Sequence, residues 1–199
     1  MAVTALILYL AWAFLAFGWR TIDQRRRTGD SGLRLHARPN TAQWWAKIGF
    51  AIAILVGIAA PIAAVAGLDN ITALNNTWLH ITGIAVTIIG VLLTVAAQYS
   101  MGESWRIGVD PEEHTELVTV GAFRLVRNPI FTAMLITATG LTMVIPNIIS
   151  ILGMVSLFVA LEVQVRLVEE PYLRTVQGDE YRAYAHSAGR FAPGVGRLR

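Results

Sequence analysis

The chain has 199 residues, 55% of them hydrophobic and only 15% charged, with a positive mean hydropathy of +0.54, which is too apolar for an ordinary soluble domain of that length. A net charge of +3 would suit nucleic acid in a soluble protein, but anionic headgroups on a cytoplasmic leaflet account for it here, so no nucleic-acid partner is expected. There is no cysteine, which excludes disulfides and thiolate metal sites, and His36, His80, His114 and His186 lie too far apart in sequence for a metal motif, so no metal is expected.

Five apolar runs occupy about residues 2–19, 44–67, 78–101, 129–145 and 147–165. Residues 20–43 with Lys47 carry seven Lys and Arg, residues 102–128 carry three and the tail from Arg166 carries six, whereas 68–77 and Pro146-Asn147 carry none. The positive-inside rule then predicts an all-α, multi-pass membrane protein of five transmembrane helices, N-terminus outside and C-terminus cytoplasmic. The first run has no basic residue ahead of it and Arg25, Arg26 and Arg27 after it, the reverse of a secretory signal, so it is expected to stay in the mature chain. His80 is expected to be an interfacial residue.

Small residues in the second run (Gly49, Ala53, Gly57, Ala60, Ala64, Gly67) and third run (Gly83, Gly90) predict close helix packing in lipid. With no internal repeat and no low-complexity linker, residues 1–199 read as one domain: three N-terminal membrane helices over 1–101, then a catalytic region over 102–199. The last two runs are short and meet at Pro146-Asn147, which predicts a helical hairpin.

Residues 101–131 are too apolar and patterned for a solvated linker. Asp110 followed by Pro111, Glu112 and Glu113 predicts a short helix to about Val118, ending near Gly121. Asn128 and Pro129 repeat the start signal, with Asn128 as the cap of the fourth membrane helix. A helix N-terminus at the cytoplasmic interface offers unpaired N–H groups to a polar ligand. Arg124 and Arg127, three apart, are expected to share a face. On the other arm Glu162, Arg166 and Glu170 are spaced to share one helical stripe, with Glu169 three from Arg166. Charges there need a partner or a polar cavity, and a hairpin brings its open ends together. Arg127 and Asn128 are therefore expected beside Arg166, Glu169 and Glu170, either as a structural ion-pair cluster or as a cytoplasmic ligand pocket.

The run from Gly121 to Phe131, with Leu117-Val118-Thr119 before it, resembles the G-x-Y-x-x-x-R-H-P-x-Y element of the isoprenylcysteine carboxyl methyltransferase and phospholipid methyltransferase superfamily. Glu169-Glu170, the stretch from Gly178 through Tyr181 to Tyr184, and Arg190-Phe191-Ala192-Pro193 are similar to that family's E-E, G-x-x-Y-x-x-Y and R-(aromatic)-x-P elements. Four elements in order around a membrane hairpin make the resemblance specific over about residues 98–194.

The resemblance implies an integral membrane methyltransferase that uses S-adenosylmethionine at the cytoplasmic face and a lipid or lipidated acceptor from the bilayer. It places Glu116, Leu117, Val118, Phe123, Arg127, Asn128, Pro129, Ile130, Phe131, Glu169 and Glu170 at the cofactor, with Arg166 on the acceptor side and Glu169 or Glu170 as candidate base. Phe123 and Phe131 stand where the family usually has tyrosine, and Asn128 where it usually has histidine. A carboxylate acceptor needs no base and could be oriented by Arg166, whereas a phospholipid amine must lose a proton. Tyr172, Tyr181 and Tyr184 read as an interfacial belt in preference to the lining of a lid. A non-enzymatic scaffold or transporter is the alternative of another class. An NADPH-dependent membrane reductase is disfavoured because Ile130-Phe131-Thr132-Ala133 replaces the reductases' N-Y-x-G-E.

Overall fold

The computed structural model describes residues 1–108 and 116–198. Four helices among these are long and apolar enough to cross a membrane: α1 (Ala2–Thr28), α2 (Ala42–Val65), α3 (Thr77–Ser100) and the helix Ile148–Ser187. A fifth, α4 (Pro129–Val144), is apolar but has 16 residues. That is ~24 Å at ~1.5 Å per residue, shorter than a ~30 Å hydrocarbon core. The last helix is divided by a π turn at Val165–Glu169 into α5 (Ile148–Gln164) and α6 (Glu170–Ser187). Its apolar part is residues 148–165, and the polar sequence from Arg166 lies beyond the span. No β-strand occurs among the described residues, only isolated parallel bridges joining Leu33 to Ile107 and Val126 to Gly189.

Three helix starts carry side-chain caps. The side-chain oxygens of Thr41 and Asn76 accept from Trp44 N and Leu79 N, and Asn147 and Ser150 cap one another's backbone. Asn128 departs from the expectation. Its side chain makes no cap and instead donates to the carbonyl of Arg190 at 3.1 Å, because the C-terminal tail lies against it. The helix expected from Asp110 begins among residues outside those described, and residues 116–119 are not helical.

Packing follows the small residues. Helix α3 runs along α4 and α2 along α5, while the two hairpin arms touch each other much less. A Cβ on Gly90 would stand 2.6 Å from the Thr137 amide nitrogen, and one on Gly83 would stand 2.8 Å from the Gly140 carbonyl oxygen. On the other pair, a Cβ on Gly153 would lie 3.2 Å from the Gly57 Cα. Gly57 also admits the Tyr9 ring, whose hydroxyl donates to Ile54 O at 2.6 Å. The packing expectation thus holds at Gly57, Gly83 and Gly90, whereas Gly49 makes only an ordinary contact and Gly67 none within 4 Å. Buried Thr87, Thr94 and Thr137 return their hydroxyls to carbonyls four residues earlier, so no water is needed there. His80, expected at the interface, is buried in the first turn of α3.

Helix α1 is tied to the exit of α3 by polar contacts. It widens into a π turn at Phe14–Trp19, where Ala16 O accepts from Gln98 Nε2 at 2.8 Å. One turn on, buried Arg20 donates to Gly102 O at 2.7 Å and stands over the rings of Tyr99 and Trp105. These contacts gather α1, α3 and the loop after it at the basic end of the bundle.

Gly90→Ala is expected to cost ~1–3 kcal/mol, since the new methyl group meets the Thr137 backbone as well as its buried hydroxyl, which is tied to Ala133 O. Gly49→Ala, whose nearest neighbour is the Ala160 Cβ at 3.8 Å, is expected to be neutral. Thermal unfolding in detergent checks both, and equal midpoints would remove glycine contact as the basis of α3–α4 packing.

Candidate active site

Gly121–Arg124 forms a single 3-10 turn, and the chain then continues without helix through the isolated bridge at Val126 to Asn128. Without a continuous helix, Arg124 and Arg127 do not share a face as expected. Arg124 is exposed and Arg127 is buried. The Arg127 guanidinium donates to Glu170 Oε1 at 2.8 Å and to the carbonyls of Ala185, Ala188 and Gly196 at 3.1, 2.7 and 3.0 Å. Arg190 completes the group, with Nε and one terminal nitrogen 2.7 and 3.1 Å from the two oxygens of Glu170. Backbone bonds from Arg127 N to Gly189 O and Asn128 N to Arg190 O continue the attachment of the tail.

The π turn explains how Glu170 reaches this position. Pro171 has no N–H to return to the Leu167 carbonyl, which breaks the regular ladder at that turn. One extra residue in a turn rotates the remainder of the helix by about 100°, a single residue's share of 3.6 per turn. Arg166 and Glu170, expected on one stripe, therefore separate. Arg166 points outward, its side chain 55% exposed and paired with Glu162, while Glu170 turns inward to 5% exposure. The hairpin ends do meet, but through Arg127 and Glu170, and Arg166 is not part of the meeting.

Two cavities lie against this group. The larger, about 440 Å³, is walled by Phe17 of α1, Phe50 of α2, Leu33 and Leu35 of the connecting segment, and Ile130, Phe131 and Met134 of α4, with Lys47, Gln98 and Gln164 as polar members. The smaller, about 140 Å³, is lined by Glu116, Leu117, Val118, Glu170, Tyr172, Tyr181 and Tyr184. Met101, Arg106, Gly108, Phe123, Arg127, Asn128 and Glu169 line both and so form a common wall.

The site residues named from the sequence divide accordingly. Glu116, Leu117, Val118 and Glu170 face the smaller cavity, Pro129, Ile130 and Phe131 the larger, and Phe123, Arg127, Asn128 and Glu169 both. Arg166 lines neither. Tyr172, Tyr181 and Tyr184 are not an interfacial belt: Tyr181 is 1% exposed and the Tyr184 hydroxyl donates to Phe123 O at 2.7 Å. Their spacing on α6 could have placed them together, but the facing partner comes from a segment about 60 residues away. Arg106, Lys47 and the Leu33-Leu35 pair were missed as well. Only the two leucines, alternating in a polar stretch, left a sequence signal.

The two adjacent glutamates titrate in opposite directions. Burial alone pushes Glu170 up, but hydrogen bonds from Arg190 and Arg127 outweigh it and hold the carboxyl below its ordinary value. Burial pushes Glu169 up to about 7, moderated by the hydrogen bond from Gln164 at 3.0 Å and the charge of Arg106. Glu170 is thus a fixed anion, and Glu169 can exchange a proton near neutrality.

Residues 78–180, just over half the chain, match the phospholipid methyltransferase family. The chain belongs to this family. It is also similar to two proteins of Arabidopsis thaliana, protein-S-isoprenylcysteine O-methyltransferases B and A. Identity to the first is 26% over 148 residues, covering 73% of this chain and 74% of that protein. To the second it is 29% over 123 residues, covering 61% and 62%. The protein is accordingly an integral membrane methyltransferase. The family match holds the lining of the smaller cavity except Tyr181 and Tyr184, whereas Phe17, Leu33, Leu35, Lys47, Phe50 and Ala51 of the larger one precede it.

Arg127→Met is expected to destabilise the protein by ~3–5 kcal/mol, because it leaves Glu170 charged and buried with half its compensation gone. Arg166→Ala, an exposed pair with Glu162, is expected to change stability by less than about 1 kcal/mol. Comparable losses in a thermal-shift assay would contradict this partition.

Proposed function

We propose that the protein transfers a methyl group from S-adenosylmethionine to a lipid-like acceptor at the cytoplasmic face of the membrane, in the manner of an isoprenylcysteine carboxyl methyltransferase. The observation that carries the reading is the common wall. A two-substrate transfer needs two compartments that open onto the same few side chains, one polar and one apolar, and Phe123, Asn128 and Glu169 border both. In this reading α4 is a fifth span, and the end of the bundle from which the Lys- and Arg-bearing segments emerge faces the cytoplasm.

The residues present fit the donor. The smaller cavity combines carboxylates with the rings of Tyr172, Tyr181 and Phe123, suited to an amino group and an adenine. Arg127 Nε is buried without a hydrogen-bond partner among the described residues, a donor available at the wall. At about 140 Å³ the smaller cavity is below the usual ~300–1,000 Å³ of ligand sites, so the reactive end of the donor belongs at the common wall and not deeper. When bound, S-adenosylmethionine supplies a methyl group on a sulfonium, whose C–S bond breaks as the acceptor's bond to carbon forms. Glu170, fixed between two arginines, holds Arg127 and the tail in place. Glu169, when ionised, would supply a counter-charge to a sulfonium held at the common wall, and Phe123 and Met101 would exclude water there. Arg106, a cation of the wall not committed to the Glu170 cluster, would orient a carboxylate acceptor in place of the outlying Arg166.

A second reading, N-methylation of a phospholipid amine, is favoured by Glu169. A carboxyl pushed up to about 7 and open to both cavities could take the proton that an ammonium must lose. The two readings separate by product: a base-labile methyl ester or a stable methylamine.

Glu169 ionises as pH rises through about 7, so affinity for cationic S-adenosylmethionine is expected to increase across that range. Affinity for uncharged S-adenosylhomocysteine should change less, and Glu169→Gln should flatten the difference. Calorimetry with both compounds is the check. No binding of either at any pH would end the proposal.

A further inference from the structure

The segment joining α1 to α2 is strapped against the larger cavity. Ile107 N donates to Gly32 O and Arg34 N to Ile107 O, both at 2.8 Å, and the Lys47 ammonium donates to the carbonyls of Arg34 and His36 at 2.6 and 2.7 Å. Glycine is required at two points of contact. A Cβ on Gly32 (φ +72) would lie 3.0 Å from Trp105, and one on Gly108 (φ +92) would collide with the Arg34 carbonyl. The strap is thus held by its backbone, with Asp30 and Ser31 bonding it locally and Arg34 paired to Asp30. The side chains of Leu33 and Leu35 take no part in that attachment.

Leu33, which forms an isolated bridge with Ile107, and Leu35, two residues on, both line the cavity. They are 37% and 62% exposed and are the large apolar residues of a stretch that otherwise holds Asp30, Ser31, Gly32, Arg34, His36, Ala37 and Arg38. Resting on the methyl-transfer reading of the larger cavity, we propose that Leu33 and Leu35 select the apolar chain of the acceptor, with Lys47 as the positioning residue that keeps them in place. The occupant is an amphiphile with one prenyl or alkyl chain, its reacting head at the common wall. A cavity of about 440 Å³ lies toward the small end of ligand sites and takes one chain in preference to the two of a diacyl lipid. The strap precedes the residues that match the family, so the proposed chain-selecting leucines lie in a different segment from the lining of the smaller cavity.

The chain has no cysteine, so Leu35→Cys creates a single thiol. Its maleimide labelling in purified protein is measured with S-prenyl cysteines ranging from dimethylallyl to geranylgeranyl. The long-chain probes at ten times their dissociation constant should slow labelling about tenfold, and the dimethylallyl compound should not. In turnover, Leu33→Ala should raise KM for the long-chain acceptor about tenfold at constant kcat. Lys47→Met should do the same and Lys47→Arg should restore it, with S-adenosylhomocysteine affinity unchanged throughout as the control for folding. Turnover of S-prenyl cysteines without protection of the thiol overturns the strap's role and leaves methyl transfer standing. Protection without any methyl transfer supports chain binding at the strap and removes the catalytic reading.

Discussion

Arg127, Glu170 and Arg190 leave water together, and the basic end of the fold is organised by that necessity. A carboxylate at 5% exposure is tolerable only with its lone pairs occupied, and two guanidinium groups occupy them. The three residues come from the approach to α4, the start of α6 and the tail, so pairing them closes the chain on itself. Arg127 then directs its remaining donors to three tail carbonyls, which would otherwise need water. The result is a rigid backing for the wall that both cavities share.

The neighbouring acid owes its freedom to the same arrangement. In the π turn Glu170 is directed to the arginines and Glu169 to the cavities, so adjacent residues of one type acquire different chemistry. One is ionised and structural, the other poised between protonation states. The turn also sends Arg166 outward. A regular helix would have kept Arg166 with Glu170 and left the site with a different charge.

Helix pairing accounts for the space. Because α4 fits α3 through Gly83, Gly90 and Gly140, and α5 fits α2 through Gly57 and Gly153, each hairpin arm is committed to a different neighbour. Ile130, Phe131 and Met134 of α4 and Gln164 of α5 therefore border one cavity without filling it. Residues lining the smaller cavity fall mostly within the stretch that matches the phospholipid methyltransferase family, and much of the larger cavity's apolar wall falls before it. Family membership thus bears on the smaller cavity more directly than on the apolar wall of the larger one.

Membrane class, all-helical character and family were legible in the residue order. They rest on local quantities: hydropathy over a helix length, charge between runs, and short motifs such as the segment from Gly121 to Phe131. The small-residue contacts at Gly57, Gly83 and Gly90 were legible for the same reason, since lipid offers helices little besides close approach. The cap at Asn128, the shared face of Arg124 and Arg127, the Arg166–Glu170 stripe and the tyrosine belt were not, because each assumed that regular helix or interface geometry persists. The tail intervened at Asn128, Glu170 at Arg127 and Phe123 at Tyr184, all distant in sequence, while the π turn ahead of Pro171 broke the Arg166–Glu170 stripe. Sequence alone determined what kind of chain this is and which segments carry its chemistry. Only the tertiary structure decided which charges are consumed in holding the fold and which are left to act, because burial and partnership are properties of residues far apart in sequence.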